Sequence, residues 1–180
     1  MPNKSYSIEH NNISDILHWI DKGIIGIPEM QRPFVWSTTQ VRDLIDSLYR
    51  GYPIGFIVTW QNPDASLKMG GKGQNKEIII DGQQRITALS AALMGKEIVD
   101  DKYLKKRIYI SFNPITEEFA TRSAAIAKDP KWIPDISIFS QPNFDEFEYV
   151  VNNSERLGLP GNELNKIIQN KLIPSSANSV

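Results

Sequence analysis

Cysteine is absent from the 180 residues of this chain. Disulfide bonds, thiolate zinc sites and cysteine nucleophiles are therefore excluded. Histidine is scarce as well, because the chain has only two, His10 and His18, and no third ligand accompanies them at a metal-binding spacing. The GxSxG and HExxH signatures of hydrolases and metalloproteases are missing, as is a histidine-rich nuclease motif. If this chain cuts nucleic acid, it does not use metal-dependent HNH-type chemistry.

Long hydrophobic runs and an excess of one charge are also lacking. No segment approaches the roughly 18 consecutive apolar residues of a membrane helix, and the amino terminus lacks the form of a secretory signal. We therefore expect a cytoplasmic protein without a membrane partner. Twenty basic and 21 acidic residues give a net charge of −1, whereas dedicated nucleic-acid-binding domains usually carry a basic excess. Bulk charge thus gives no support to DNA binding, although a local patch would suffice for it.

Hydrophobic periodicity and turn residues predict helices between short strands. Ser14 is expected to cap a first helix, and Ser37 to Gln40 form a capping box before a second. The isoleucines of 77–81 predict a strand buried on both faces of a mixed sheet. The expected elements are helices 14–22, 37–50, 82–94, 144–158 and 162–172, and strands 55–60, 77–81, 107–114 and 117–121, the last two forming a hairpin.

The sequence pattern changes after Lys128, where an irregular stretch leads into the last two predicted helices. We divide the chain into a domain of residues 1–125 and a helical extension of residues 126–180. The final KLIPSSANSV follows a helical segment and completes no further structural element, so we expect the chain to be the amino-terminal piece of a longer protein. The fold class is α/β (α+β).

Polar or minimal residues stand where the strand 77–81 meets the next helix, in the sequence Asp81-Gly82-Gln83-Gln84-Arg85. One interpretation is structural: Asp81 caps the helix and Gln84 completes a capping box. It leaves Gln83 and Arg85 without a role. The other is a ligand site, because the helix start presents free N–H groups, Gly82 permits close approach and Arg85 is a bidentate phosphate donor. From chemistry alone both remain open.

A second polar pair, Gln31-Arg32, lies between two prolines in IPEMQRPFVW. The structural interpretation is a surface loop whose apolar residues fasten the following helix. In the functional one, Gln31 and Arg32 point into the same pocket as Arg85. Phe34 or Trp36 would then offer an aromatic wall for a nucleobase.

The loop KMGGKGQNK carries Lys68, Lys72 and Lys76. It fails the phosphate-loop pattern, since Lys72 is followed by Gly73 rather than by a hydroxyl residue. A solvated loop is the favoured interpretation, and contact of the three lysines with a polyanion such as DNA is the alternative.

Three blocks together, IPEMQRPFVW, SLYRGYPIGFIVTW and IIIDGQQRITAL, resemble the amino-terminal domain family of GmrSD-type restriction systems. The resemblance covers roughly residues 10–125, with the blocks in the family's order. It implies a ParB/sulfiredoxin-like fold, in which a small mixed sheet is flanked by helices. It also implies a module that couples hydrolysis of a nucleoside triphosphate to restriction of modified or foreign DNA.

The same resemblance assigns site residues by position. Gly82 to Arg85 match a turn that cradles nucleotide phosphates in the relatives. Our first hypothesis is therefore NTP binding and hydrolysis, with GTP or another ribonucleotide as substrate and Mg²⁺ as cofactor. Asp81 would help to hold the metal, Gln83 or Gln84 would orient water, and Arg85 would stabilise charge. The expected nucleotide-binding residues are Gln31, Arg32, Phe34, Trp36, Gly82, Arg85 and Thr87.

The resemblance further implies that a carboxy-terminal or partner-chain HNH-type nuclease does the cutting. A competing hypothesis is a non-enzymatic module that senses modified or foreign DNA through the same pocket. Binding to DNA through several phosphates weakens steeply with salt, which distinguishes it from binding of a mononucleotide.

Overall fold

A computed structural model describes residues 6–28, 33–61 and 77–172 of the chain. Five predicted site residues lie outside the described residues, namely Gln31, Arg32, Lys68, Lys72 and Lys76.

Helices and short strands alternate along the chain, as the sequence predicts. In the first part they are α1 (Ile13–Asp21), β1 (Ile25–Gly26), α2 (Thr38–Tyr49), β2 (Val58–Gln61), β3 (Glu77–Asp81) and α3 (Gln83–Leu93). Then follow β4 (Ile98–Val99), β5 (Lys105–Lys106), β6 (Ile110–Asn113), β7 (Glu118–Thr121) and α4 (Ala124–Lys128). The chain continues through a 3₁₀ helix (Ile136–Ser140), α5 (Glu146–Leu157), α6 (Gly161–Ile167) and a π-helical turn (Ile168–Leu172).

The sheet next to the candidate site has the strand order β1-β3-β2, with β1 parallel and β2 antiparallel to β3. The strand predicted at 77–81 is confirmed, and the expectation that both its faces are buried is confirmed at Ile78 and Ile79, which point to opposite faces, but is wrong at Ile80. Ile78 and Ile79 are buried, whereas 53% of Ile80 is exposed. Because β1 ends at Gly26, opposite Ile78, the second half of β3 pairs on one side only among the residues that the structure describes.

The predicted hairpin is also confirmed, as β6 and β7 pair in antiparallel register. The first strand begins at Ile110, three positions after the predicted start. Its turn is held by Asn113, whose Oδ1 accepts hydrogen bonds from the backbone N–H of Ile115 and Thr116 at 3.0 and 3.3 Å. This is the local turn chemistry that asparagine favours.

The two amino-terminal helices start in different ways. Ser37 caps α2 with the complete capping box that the sequence predicts. The predicted cap of α1 at Ser14 is wrong, because Asn12 takes the N-cap position and makes no side-chain cap bond. The predicted helix at 82–94 is confirmed to within one residue at each end.

One hydrophobic cluster joins the amino-terminal helices, α3 and the carboxy-terminal helices. Ile86 and Leu89 of α3 are fully buried in it, and so are Leu157, Leu164 and Ile168. Small sheets flanked by helices confirm the α+β fold class. The division at residue 125 and the likeness to ParB and sulfiredoxin stay predictions. Within the described ranges, none of the helices is long and apolar enough to cross a membrane.

Candidate functional site

The candidate site is the turn that joins β3 to α3. Asp81 is the last residue of β3 and pairs with Val58, so its backbone is that of a strand. Gly82 takes the N-cap position with a left-handed backbone, φ 89°, and no side chain caps the helix. The predicted capping box of Asp81 and Gln84 is therefore wrong, because the strand continues through Asp81 and the Gln84 side chain bonds elsewhere.

The first N–H groups of α3 are left without partners in the described part of the chain. The helical bonding begins with the N–H of Ile86, which donates to the Gly82 carbonyl at 3.0 Å. Among the described residues, no group accepts from the backbone N–H of Gln83, Gln84 or Arg85. Such donors at a helix start, together with the positive end of the helix dipole, favour an anion.

Gly82 is required here by both conformation and space. Its positive φ is one that other residues adopt only with strain. A Cβ added to it would lie 2.5 Å from Cδ1 of Ile57 and 3.4 Å from the Ile57 Cα. The segment before β2 therefore packs directly against the turn because residue 82 has no side chain.

Arg85 connects the turn to that same segment. Its Nη1 donates to the Ile54 carbonyl at 2.7 Å, and its Nη2 donates to Oδ2 of Asp81 at 3.2 Å. The Arg85 side chain is 18% exposed, whereas the Asp81 side chain is 72% exposed. A guanidinium has five donors, and two of those of Arg85 are used by these contacts.

Sequence reasoning missed the segment Ile54–Ile57 as part of the site. Gly55, with φ 86°, lies so close to Arg85 that an added Cβ would stand 2.5 Å from its Nη1. Phe56 follows and is 72% exposed. The signal lay in the block GYPIGF, where a glycine interrupts apolar residues before a strand.

The two glutamines are engaged in different contacts. The Gln84 amide bridges a distant segment: its Nε2 donates to the Pro33 carbonyl at 3.2 Å, and its Oε1 accepts from the Val35 N–H at 3.1 Å. Gln83 Nε2 donates to the Ile79 carbonyl at 2.8 Å. Both ends of the Gln84 amide are thus used, while Oε1 of Gln83 has no partner in the described ranges.

The predicted aromatic wall differs from what the packing offers. Phe34 is only 4% exposed and belongs to the core cluster, which leaves almost none of its ring for a ligand. Trp36 is half-buried against the same core, and Thr87 is half-buried on α3. Because Gln84 bonds to residues 33 and 35, it holds the backbone on either side of Phe34 against the β3–α3 turn.

Acidic residues are sparse around the turn. Within the described ranges, no three His, Cys, Asp or Glu side chains are grouped so that they could hold a metal ion by themselves. Mg²⁺ commonly takes one or two carboxylates and completes its shell with water and substrate phosphates. Asp81 fits such a role, because it is exposed and stands beside the free N–H groups.

Comparison with known proteins covers most of the chain. Residues 13–175 match the family described as the GmrSD restriction endonuclease, N-terminal domain. A relative, an uncharacterized protein of Methanocaldococcus jannaschii, is 27% identical over an alignment of 139 residues, and the match covers 68% of this chain. The chain spans about a quarter of that relative, 24% of its length.

Proposed function

Because this chain belongs to the GmrSD restriction endonuclease N-terminal domain family, we propose that it is the nucleoside-triphosphate-binding module of a restriction and defence protein. The module hydrolyses the nucleotide that it binds, with GTP or another ribonucleotide as substrate. DNA and an HNH-type nuclease, in the same chain or in a partner, belong to the complete system.

The observation that carries the proposal is the convergence of donors at the β3–α3 turn. Three backbone N–H groups, those of Gln83, Gln84 and Arg85, face outward from the helix start without acceptors among the described residues. Gly82 takes the left-handed backbone from which α3 starts, and Arg85 adds a cationic donor beside the turn. Phosphate oxygens match this combination of backbone donors, dipole and guanidinium.

The side chains of the turn have separate roles in metal binding, water orientation and charge stabilisation. Asp81 would help to hold a Mg²⁺ ion, and the metal would supply charge neutralisation for phosphoryl transfer. Gln83 would orient the attacking water with its amide oxygen, which has no partner among the described residues. Arg85 stabilises charge on the phosphoryl oxygens with its uncommitted donors. Gln84 fixes the segment around Phe34 against the turn, since both ends of its amide bind backbone there.

Thermal shift and phosphate release test the proposal. We expect one or more of the four NTPs, with Mg²⁺, to raise the melting temperature of the wild-type protein in a concentration-dependent way. Arg85→Ala should abolish the shift and the release of phosphate. Arg122→Ala is the matched control, because Arg122 is exposed and contacts the Tyr109 ring instead. Its nucleotide binding should equal that of the wild type.

The outcome that contradicts the proposal is equally specific. If folded Arg85→Ala protein kept the affinity and hydrolysis of the wild type, the turn would not be the phosphate site. If no NTP bound at all, while DNA bound with a steep dependence on salt, the chain would be a DNA sensor instead.

A further inference from the structure

Phe56 lies between two residues whose positions are set by the candidate site. Gly55 on one side touches the guanidinium of Arg85, and Ile57 on the other side touches Gly82. Consecutive Cα atoms are about 3.8 Å apart, so the Cα of Phe56 is one step from both contacts. The fold therefore places an aromatic residue one position along the chain from each of two contacts with the β3–α3 turn and its arginine.

The exposure of Phe56 contrasts with that of the segment which carries it. Ile54 and Ile57 are half-buried and pack against the core, while Phe56 is 72% exposed. Single exposed apolar residues are common on protein surfaces. Phe56 differs in that its backbone is fixed on both sides, because Arg85 bonds Ile54 and Gly82 packs on Ile57. An aromatic ring on a fixed backbone is a low-entropy contact surface.

We propose that Phe56 is the residue on which the base of the bound nucleotide stacks. This inference rests on the proposed function, since it takes the phosphates to be held at Gly82–Arg85. A nucleobase is the planar part of a ligand whose anionic part suits the turn, and every base has a π-face that an aromatic side chain can cover. Phe56 thus replaces Phe34 as the aromatic wall, because the Phe34 ring is buried.

Stacking on phenylalanine also predicts that Phe56 discriminates little among the four bases. A phenyl ring has no hydrogen-bonding group that would read the edge of a base. Phe56 should therefore strengthen the binding of all four NTPs by similar factors, and selection among bases would need other groups.

The experiment compares nucleotides with inorganic tripolyphosphate, which has the phosphates but no base. Affinities of both ligands, with Mg²⁺, are measured by calorimetry for wild type, Phe56→Ala and Phe56→Trp. We expect Phe56→Ala to weaken NTP binding roughly tenfold and to leave tripolyphosphate binding unchanged. Phe56→Trp should retain NTP affinity. Tyr52→Ala is the matched control, because Tyr52 is also an exposed aromatic residue, at 60%, and should have no effect.

Each alternative result has a separate meaning. If Phe56→Ala weakened both ligands equally or neither, stacking would be refuted while the phosphate site stood. If the wild type bound tripolyphosphate as tightly as every NTP, the base would contribute nothing, and stacking would again be refuted. If neither ligand bound the wild type, the proposed function would fail and this inference with it.

Discussion

At the scale of single residues, Gly82 and Gly51 show how the surroundings of a glycine determine its importance. Both have positive φ, 89° and 72°. A Cβ on Gly51 would meet nothing within 4 Å, whereas one on Gly82 would collide with Ile57. Conformational strain is common to the two positions, and only Gly82 adds a clash.

We therefore expect Gly51→Ala to lower the free energy of unfolding by about 1 kcal/mol, which is the cost of the left-handed backbone. Gly82→Ala should lower it by about 2–4 kcal/mol, because Ile57 must also move. Urea denaturation of the two variants measures the difference. Equal losses of stability would mean that Ile57 moves away from the added Cβ at no cost in free energy.

Gln84 illustrates a residue whose role depends on partners far away in sequence. Its amide bonds the backbone at Pro33 and Val35, which are 51 and 49 positions distant. Gln84→Ala should expose the Val35 N–H to solvent, and hydrogen exchange of the Val35 amide should accelerate. We expect a loss of about 1–2 kcal/mol in stability from the two bonds.

Gln83→Ala is the control for this prediction, because Gln83 bonds Ile79 rather than Val35. Its stability should fall by a similar amount per bond, but exchange at Val35 should stay as in the wild type. Unchanged exchange in Gln84→Ala would show that other contacts protect this segment.

At the scale of elements, two helix starts make a matched pair. Ser37 accepts from the Gln40 N–H at 3.2 Å and completes a capping box, while Asn12 of α1 makes no cap bond. Ser37→Ala should cost about 1 kcal/mol of stability. Asn12→Ala should cost less, since no helix N–H loses its acceptor. Thermal denaturation monitored by circular dichroism would compare them.

An ion pair ties the end of α1 to the chain that follows α3. Lys96 Nζ lies 2.7 Å from Oδ1 of Asp21, and its hydrogen bond and charge lower the pKa of Asp21 below the ordinary 3.8. The carboxylate therefore stabilises the fold at pH values above 3.8, and this contribution is lost as the pH falls through the lower pKa of the folded state.

The pair is solvent-exposed, so its contribution is below about 1 kcal/mol. Lys96→Met should remove this part of the acid dependence: the stability of variant and wild type should differ at pH 6 and converge toward pH 2. Urea denaturation across that range is the measurement. A difference that persisted at pH 2 would have a cause other than the ionised Asp21.

Elements with local determinants were predictable from the sequence. The capping box of Ser37 spans four residues, the hairpin turn is set by Asn113, and the isoleucines of 77–81 mark β3 by composition alone. The location of the candidate site at the strand–helix junction was predicted for the same reason.

Features that depend on distant partners were not predictable. Arg85 bonds a carbonyl 31 positions away, and no local pattern encodes that contact. Phe34 is buried in the core cluster, and its N–H donates to the distant Val99 carbonyl. Ile80 is exposed although its isoleucine neighbours are buried, and no local pattern distinguishes it from them.

At the scale of the whole molecule, the carboxy-terminal helices complete the core. Leu157, Leu164 and Ile168 are fully buried in the same cluster as Ile86 and Leu89. A chain ended at residue 125 would expose the apolar surface that these residues cover. We expect such a fragment to be aggregation-prone and to lack a cooperative thermal transition, whereas the full chain unfolds in one transition.

Calorimetry of both chains tests this expectation. A fragment of residues 1–125 that unfolded cooperatively would support the division into a domain and an extension. Two separate transitions in the full chain would support it as well.

The parallel pairing of Ile25 with Glu77 has a consequence for the order of folding. Thr59 and Glu77, only 18 positions apart, join β2 and β3, whereas β1 must close a loop that contains α2 and β2. Because long loops are closed more slowly, the β2–β3 ladder should acquire protection before β1 docks. Pulse-labelling hydrogen exchange during refolding would resolve the two events. Newly made protein would then pass through an intermediate in which an edge of β3 is open to other chains.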